Sequence, residues 1–279
     1  MNADETIFLK KITGKTEPFN RKKLRDSLFS AGLELTQTDT IIDEVMPKIE
    51  CGMSTTRVHN MAFKVIRKES KVKAANYRVK RSIIELGPTG FPFENLCSEL
   101  FKAKGFETEI SLNVEGQFVK HEVDIYAKRE DVRLMVECKF HNSREKKNDI
   151  KTVLYINSRA EDIRRNPNAP KFDKYAICTN THFSKDALRY AEGMGIELIS
   201  LNKDPKYSMV DAIIEHKVYP ITCLKTIKKK TVAHLLKRNI VVISQLEKNI
   251  EVMKDYEYSP EEVQAILYEI KTLDKAINE

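Results

Sequence analysis

The chain has 279 residues, 41% hydrophobic and 32% charged, with a net charge of +7 and an isoelectric point near 9.0. These values fit a soluble protein with folded cores and are compatible with a polyanionic partner. No apolar run is long enough to span a bilayer, and "MNADETIFLKK" opens with acids instead of an apolar core, so neither a membrane anchor nor a secretory signal is expected. The five cysteines, at 51, 97, 138, 178 and 223, never stand in C-x-x-C spacing, which excludes a zinc or disulfide framework and fits reduced thiols in a cytoplasm.

Three segments are expected, at 1–88, 89–203 and 204–279, giving an α+β and α/β multidomain chain. The first starts with two short strands in "TIFLKKITGKTEPF", turning at Gly14. Four helices follow. Asn20 is placed to cap "RKKLRDSLFSAG", "TDTIIDEVMPKI" is the second, Ser54 or Thr55 caps the third, and "KAANYRVKRSIIEL" is the fourth. "GPTGFP" breaks the chain. The second segment alternates: the helix "FENLCSELFKAKG", the strands "ETEISLNV", "KHEVDIYA" and "RLMVECKF", a long helix ended by Pro167, the strand "KYAICTN", the helix "SKDALRYAEGMG" and the strand "IELISLN". That order predicts a mixed sheet flanked by helices, antiparallel at first and parallel later. The third segment is short and helical, and Ser259-Pro260-Glu261 is a strong helix start.

Chemistry concentrates in the second segment. Side chains alternate across a strand. Leu134, Val136, Cys138 and Phe140 therefore share one side of "RLMVECKF", while Met135, Glu137 and Lys139 share the other. Asp124 shares a face with Glu122 and Tyr126, opposite Val123 and Ile125. Pairing of the two strands through "KREDV" brings Asp124 beside Glu137 and Lys139. Burying such charges costs several kcal/mol per ion before compensation. A divalent cation changes that balance, since carboxylate oxygens are natural ligands for Mg²⁺. Lys139 could orient the attacking water, help deprotonate it or stabilise developing charge. A plain ion pair between Glu137 and Lys139 is the alternative, and Asp124 on the adjacent strand weighs against it. His121 and His141 flank the group, Tyr155 and Lys151 lie on the next helix, and Cys138 points towards the core.

This segment resembles the PD-(D/E)xK nuclease superfamily, and more closely the Mrr-like restriction endonuclease domain. The resemblance covers roughly residues 90 to 202, with Val123 in place of the motif's proline. It implies Asp124 and Glu137 as metal ligands for Mg²⁺ or Mn²⁺, Lys139 as the catalytic lysine and Glu94 as the acid of the first helix. It also implies double-stranded DNA as substrate, products with a 5′-phosphate and a 3′-hydroxyl, and a possible homodimer. "LKKITGKTEPFNRKKLRDSL", with "STTRVHNMAFKVI" and "ANYRVKRSI", resembles the ATP-cone domain. That implies ATP or dATP as effector, with Lys10, Lys11, Lys23 and Thr55 around the nucleotide. No Walker motif is present, so binding without hydrolysis is expected. A basic helical DNA-binding bundle is the other reading of this cationic segment. "YPITCLKTIKKKTVAHLLKRNIVVISQLEK" resembles helix-hairpin-helix modules, with Lys228, Lys229 and Lys230 as phosphate contacts and Asn239 at the turn.

The expected function is a metal-dependent DNA endonuclease controlled by ATP or dATP, with restriction of foreign DNA as a plausible role. The alternative is a nucleotide-responsive DNA-binding regulator that does not cleave.

Overall fold

The computed structural model describes residues 7–11, 14–143, 145–202 and 204–275. Thr6, Ile12 and Thr13 of the expected hairpin segment, and residues 276–277 of the expected last helix, lie outside the described residues. The chain divides into two compact units, one of residues up to Arg78 together with those from Lys271, the other of Val79–Ile270.

In the first unit β1 (Phe8–Lys10) and β2 (Thr16–Pro18) pair antiparallel, with Leu9 opposite Glu17. The helices α1 (Arg21–Phe29), α2 (Leu35–Val45) and α3 (Thr55–Glu69) follow, then α4 (Lys71–Ile84), which runs on past Arg78. Side chains fix where they begin. Asn20 accepts from the Lys23 amide at 2.9 Å and Ser54 from the Arg57 amide at 3.1 Å, each satisfying a first-turn N–H that has no partner within the helix. Val58, Ala62, Val65 and Ile66 recur at helical spacing and bury one face of α3 with Leu24, Leu28, Ile41 and Ile42.

The second unit carries α5 (Phe91–Ala103), β3 (Glu107–Glu115), β4 (Lys120–Arg129), β5 (Val132–Lys139), β6 (Lys147–Asn148), α6 (Ile150–Arg165), β7 (Lys174–Thr179), β8 (His182–Phe183), α7 (Lys185–Gly193) and β9 (Glu197–Ile199). Five strands form one sheet in the order β3-β4-β5-β7-β9, antiparallel from β3 to β5 and parallel from β5 to β9. The short pair β6–β8 is an addition that two-residue strands leave invisible in hydrophobic patterning. Helices α6 and α7 cover one face, where Met135, Tyr175, Ile177 and Leu198 meet Val153, Ile156, Ala160 and Ala187. On the other face Cys97 of α5 meets the thiols of Cys138 and Cys178.

The helical end of this unit comprises α8 (Met209–Glu215), α9 (Lys229–Lys237), α10 (Ile243–Lys248) and α11 (Pro260–Lys275) as far as Ile270, with 3-10 turns between them, the longest at Ile250–Tyr256. Asn239 takes the turn after α9 with φ +61°, a left-handed conformation that asparagine tolerates better than most residues. Among the described residues no helix is long and apolar enough to cross a membrane.

Candidate active site

The β4–β5 hairpin sets the centre. Arg129 pairs with Val132 across a tight turn in which Glu130 has φ +49°, and the register continues to Ile125 opposite Val136. The paired register ends there, and Asp124 and Glu137 are the next residues of their strands. The alternation around Asp124 is not the regular one expected, however. Val123 packs with Met135 in the α6–α7 core, whereas Ile125 pairs with Val136, which lies on the opposite side of β5 from Met135. The β3–β4 ladder also omits the Ser111–Asp124 pair, and Ser111 has φ +58°. The strand therefore changes face at Asp124, and its carboxylate turns in to accept the Cys138 amide at 2.6 Å. Local irregularity of this kind re-aims a side chain.

Glu137 is buried, with its side chain 3% exposed, and both its oxygens are engaged. Oε1 accepts from Lys139 Nζ, and Oε2 accepts from Arg159 Nη1 at 2.8 Å. Arg159 also donates to the Glu122 carbonyl, so one guanidinium on α6 clamps two points of the acidic cluster. Arg159 is the principal residue that sequence reasoning missed. It lies next to the buried stripe Val153, Ile156, Ala160 and Ile163, a position that marks it as half-buried but does not by itself point to Glu137.

The electrostatics are those of a site with too much negative charge. Burial, then the charge of Glu137, pushes the Asp124 carboxyl up to about 7, against the opposing pull of the Cys138 amide and Lys139. Glu94, in the first turn of α5, is likewise raised by burial and by the charges of Glu122 and Glu137. Asp124, Glu137, Glu94 and Lys139 are thus brought together. As the side chains stand, among the described residues no three His, Cys, Asp or Glu groups close on one point that could hold a metal ion. The donor set nonetheless fits a hard divalent cation, since carboxylate oxygens are its natural ligands and the Asp124 and Glu94 carboxyls are raised by burial first and by neighbouring acids second. Lys139 and Arg159 take the positions on Glu137 that such an ion would contest.

The other expected residues fall elsewhere. His121 Nε2 pairs with Asp162 Oδ2 at 2.7 Å, and His141 Nε2 with Asn148 Oδ1 at 2.9 Å, so both hold neighbouring elements together. Tyr155 is exposed with Arg159 over its ring at 5.6 Å, while Lys151 is exposed on the first turn of α6. In the first unit, Lys11 and Lys23 converge on Glu17 at 3.0 and 3.3 Å, an acid not anticipated from sequence, and they hold its carboxyl below the usual range. The Lys10 amide donates to Met53 at 2.9 Å and its strand bridges Ser54, which sets Lys10 beside Thr55 at the start of α3. Lys228, Lys229 and Lys230 are exposed at the start of α9; the Lys228 amide donates to the Tyr258 hydroxyl at 2.8 Å, with its ammonium 5.1 Å over that ring. Three cations at a helix N-terminus oppose the helix dipole, so they do not serve the helix itself.

A mixed sheet with an acid-rich hairpin answered by a lysine two residues on defines the nuclease-like class, and the comparisons agree. The restriction endonuclease family matches residues 88–203, the ATP cone domain residues 8–83, and the family described as AF1548-like, C-terminal residues 219–273. An uncharacterised protein of Archaeoglobus fulgidus is 34% identical over 145 residues, covering 52% of this chain and 79% of that protein. A crystal structure of a protein of unknown function, AF1548, superposes with a TM-score of 0.54 at 27% identity, covering 66% of this chain and 98% of that one. The chain belongs to this AF1548-like family and joins an ATP cone domain to a restriction endonuclease domain. The first domain implies a nucleotide effector and the second a DNA substrate.

Proposed function

We propose that the chain is a divalent-cation-dependent deoxyribonuclease of the cytoplasm, controlled by ATP or dATP bound to the first segment and assisted on DNA by Lys228, Lys229 and Lys230. The observation that carries this is the packing of Asp124, Glu137 and Glu94 around Lys139, with the Asp124 carboxyl raised to about 7. Asp124 and Glu137, with Glu94 beside them, would hold Mg²⁺ or Mn²⁺, which when bound polarises the phosphate and acidifies a water. Lys139, held against Glu137, keeps a cationic donor where charge grows on the phosphate oxygens, and Arg159 fixes the Glu137 carboxylate from the α6 side. In the first segment Lys11 and Lys23 exchange Glu17 for the phosphates of the effector, with the α3 N-terminus at Thr55 alongside. Segment limits at 88 and 203, and action as a homodimer that cuts both strands, complete the proposal.

The test is plasmid DNA with Mg²⁺, with and without ATP or dATP. Nicking or linearisation that disappears in Asp124→Ala and Lys139→Ala is expected. The two cations already seated on Glu137 favour one rival, a regulator that binds DNA without cutting it. DNA binding with no cleavage under any nucleotide or metal condition would establish that rival instead.

A further inference from the structure

A cleft of about 550 Å³ opens between the β3–β4 turn and α6, within the volume range of pockets that enclose small ligands. Its frame is fixed. Asp162 accepts from the amides of Phe118 at 3.1 Å and Val119 at 3.3 Å, and it also pairs with His121. Gly116 belongs to the same frame, since a Cβ there would lie 2.1 Å from Asp162 Oδ2. A turn tied down in this way ordinarily presents polar residues to water. Here it presents Phe118, 73% exposed, and the α6 wall presents Tyr155, 60% exposed.

Charge in the cleft favours an anion. Asp162 is committed to the turn, and Glu161 is engaged by Arg164. Arg159, its side chain 11% exposed, is held by Glu137 and the Glu122 carbonyl, so the exposed Arg165 is the cation that the cleft offers. Arg159 lines the cleft as well, so the cleft and the carboxylate cluster share a wall. Aromatic faces beside guanidinium groups make a platform for a base with its phosphate, and such stacking tolerates any base.

We propose that this cleft receives one nucleotide of the DNA strand next to the cutting centre, its base unstacked against Phe118 and Tyr155 and its phosphate towards Arg165. The site adds affinity and local distortion of the duplex, not sequence readout. The inference rests on the reading of the central segment as a DNA-cutting site.

The experiment uses the full chain and a fluorescent duplex carrying 5-iodouracil, with Ca²⁺ in place of Mg²⁺ to permit binding without cutting. Affinity is read by anisotropy, and photocrosslinks are mapped by mass spectrometry. Phe118 and Tyr155 are exposed, so their alanine variants leave the core intact. The expected result is a crosslink in the peptide holding Phe118 or Tyr155, and affinity about 5- to 150-fold weaker in Phe118→Ala and Tyr155→Ala. Tight binding with crosslinks only elsewhere, or with both variants within about twofold of the parent, overturns the subsite and leaves the nuclease reading standing. Absence of DNA binding by the parent protein removes both.

Discussion

Replacing Asp124 by asparagine is expected to stabilise the metal-free protein above neutral pH. In the folded chain the carboxyl ionises near 7 instead of its ordinary 3.8, because it is buried and faces Glu137 and Glu94. Between those two values the folded state holds a proton that the unfolded state has released, so stability falls as pH climbs from about 4 to 7. At 1.36 kcal/mol per pH unit the whole interval corresponds to about 4 kcal/mol, an upper limit because asparagine must house an NH₂ group in the same space. The side-chain carbonyl of asparagine can still accept the Cys138 amide that Asp124 accepts at 2.6 Å, so the geometry is kept. Because the chain forms two compact units, hydrogen exchange of β4 and β5 amides reads this better than a global melt. At pH 8 these amides in Asp124→Asn should exchange up to about a thousandfold more slowly than in the parent, and at pH 4 equally fast. A variant no slower than the parent at pH 8, or slower by the same factor at both pH values, would refute the claim that burial and neighbouring acids raise the Asp124 carboxyl.

Arg159→Ala strips one partner from a buried carboxylate and should cost about 3 kcal/mol, seen as a lower melting temperature that Arg159→Lys partly restores. Gly116→Ala forces a methyl group onto Asp162 and should cost about 1–3 kcal/mol, with the β3–β4 turn amides exchanging faster. ATP or dATP at a hundred times its Kd should protect α1 to α3 against exchange by about 2.7 kcal/mol, and Lys11→Ala with Lys23→Ala should abolish the protection. If protection persists in the double variant, the nucleotide sits elsewhere.

Helix starts were legible because they are written in one or two residues. Asn20, Ser54 and Pro260 each stand where local chemistry puts them. The mixed sheet was legible from the order of elements, and the pairing of the strands that carry Asp124 and Glu137 from the short connection between them. What stayed hidden depends on distant partners. The change of face at Asp124 goes with the left-handed Ser111 on another strand, and serine gives no advance sign of that conformation. Arg159 reaches Glu137 from a helix whose exposed face carries other arginines, so only tertiary packing singles it out. Glu17 carries no sign in the sequence, since an acid amid lysines looks like ordinary surface, yet it holds Lys11 and Lys23 together.

The irregular β3 has a bearing on self-association. It is an edge strand of the five-stranded sheet, with exposed Glu107, Glu109 and Glu115 along it and the left-handed Ser111 between them. Unpaired peptide groups on an edge invite a second chain to zip on and continue the ladder. A kinked backbone cannot present an unbroken row of them, and glutamates arriving from two copies would repel. Runaway strand addition is disfavoured on that side, and a partnership between copies across this edge has to be built from helices or loops.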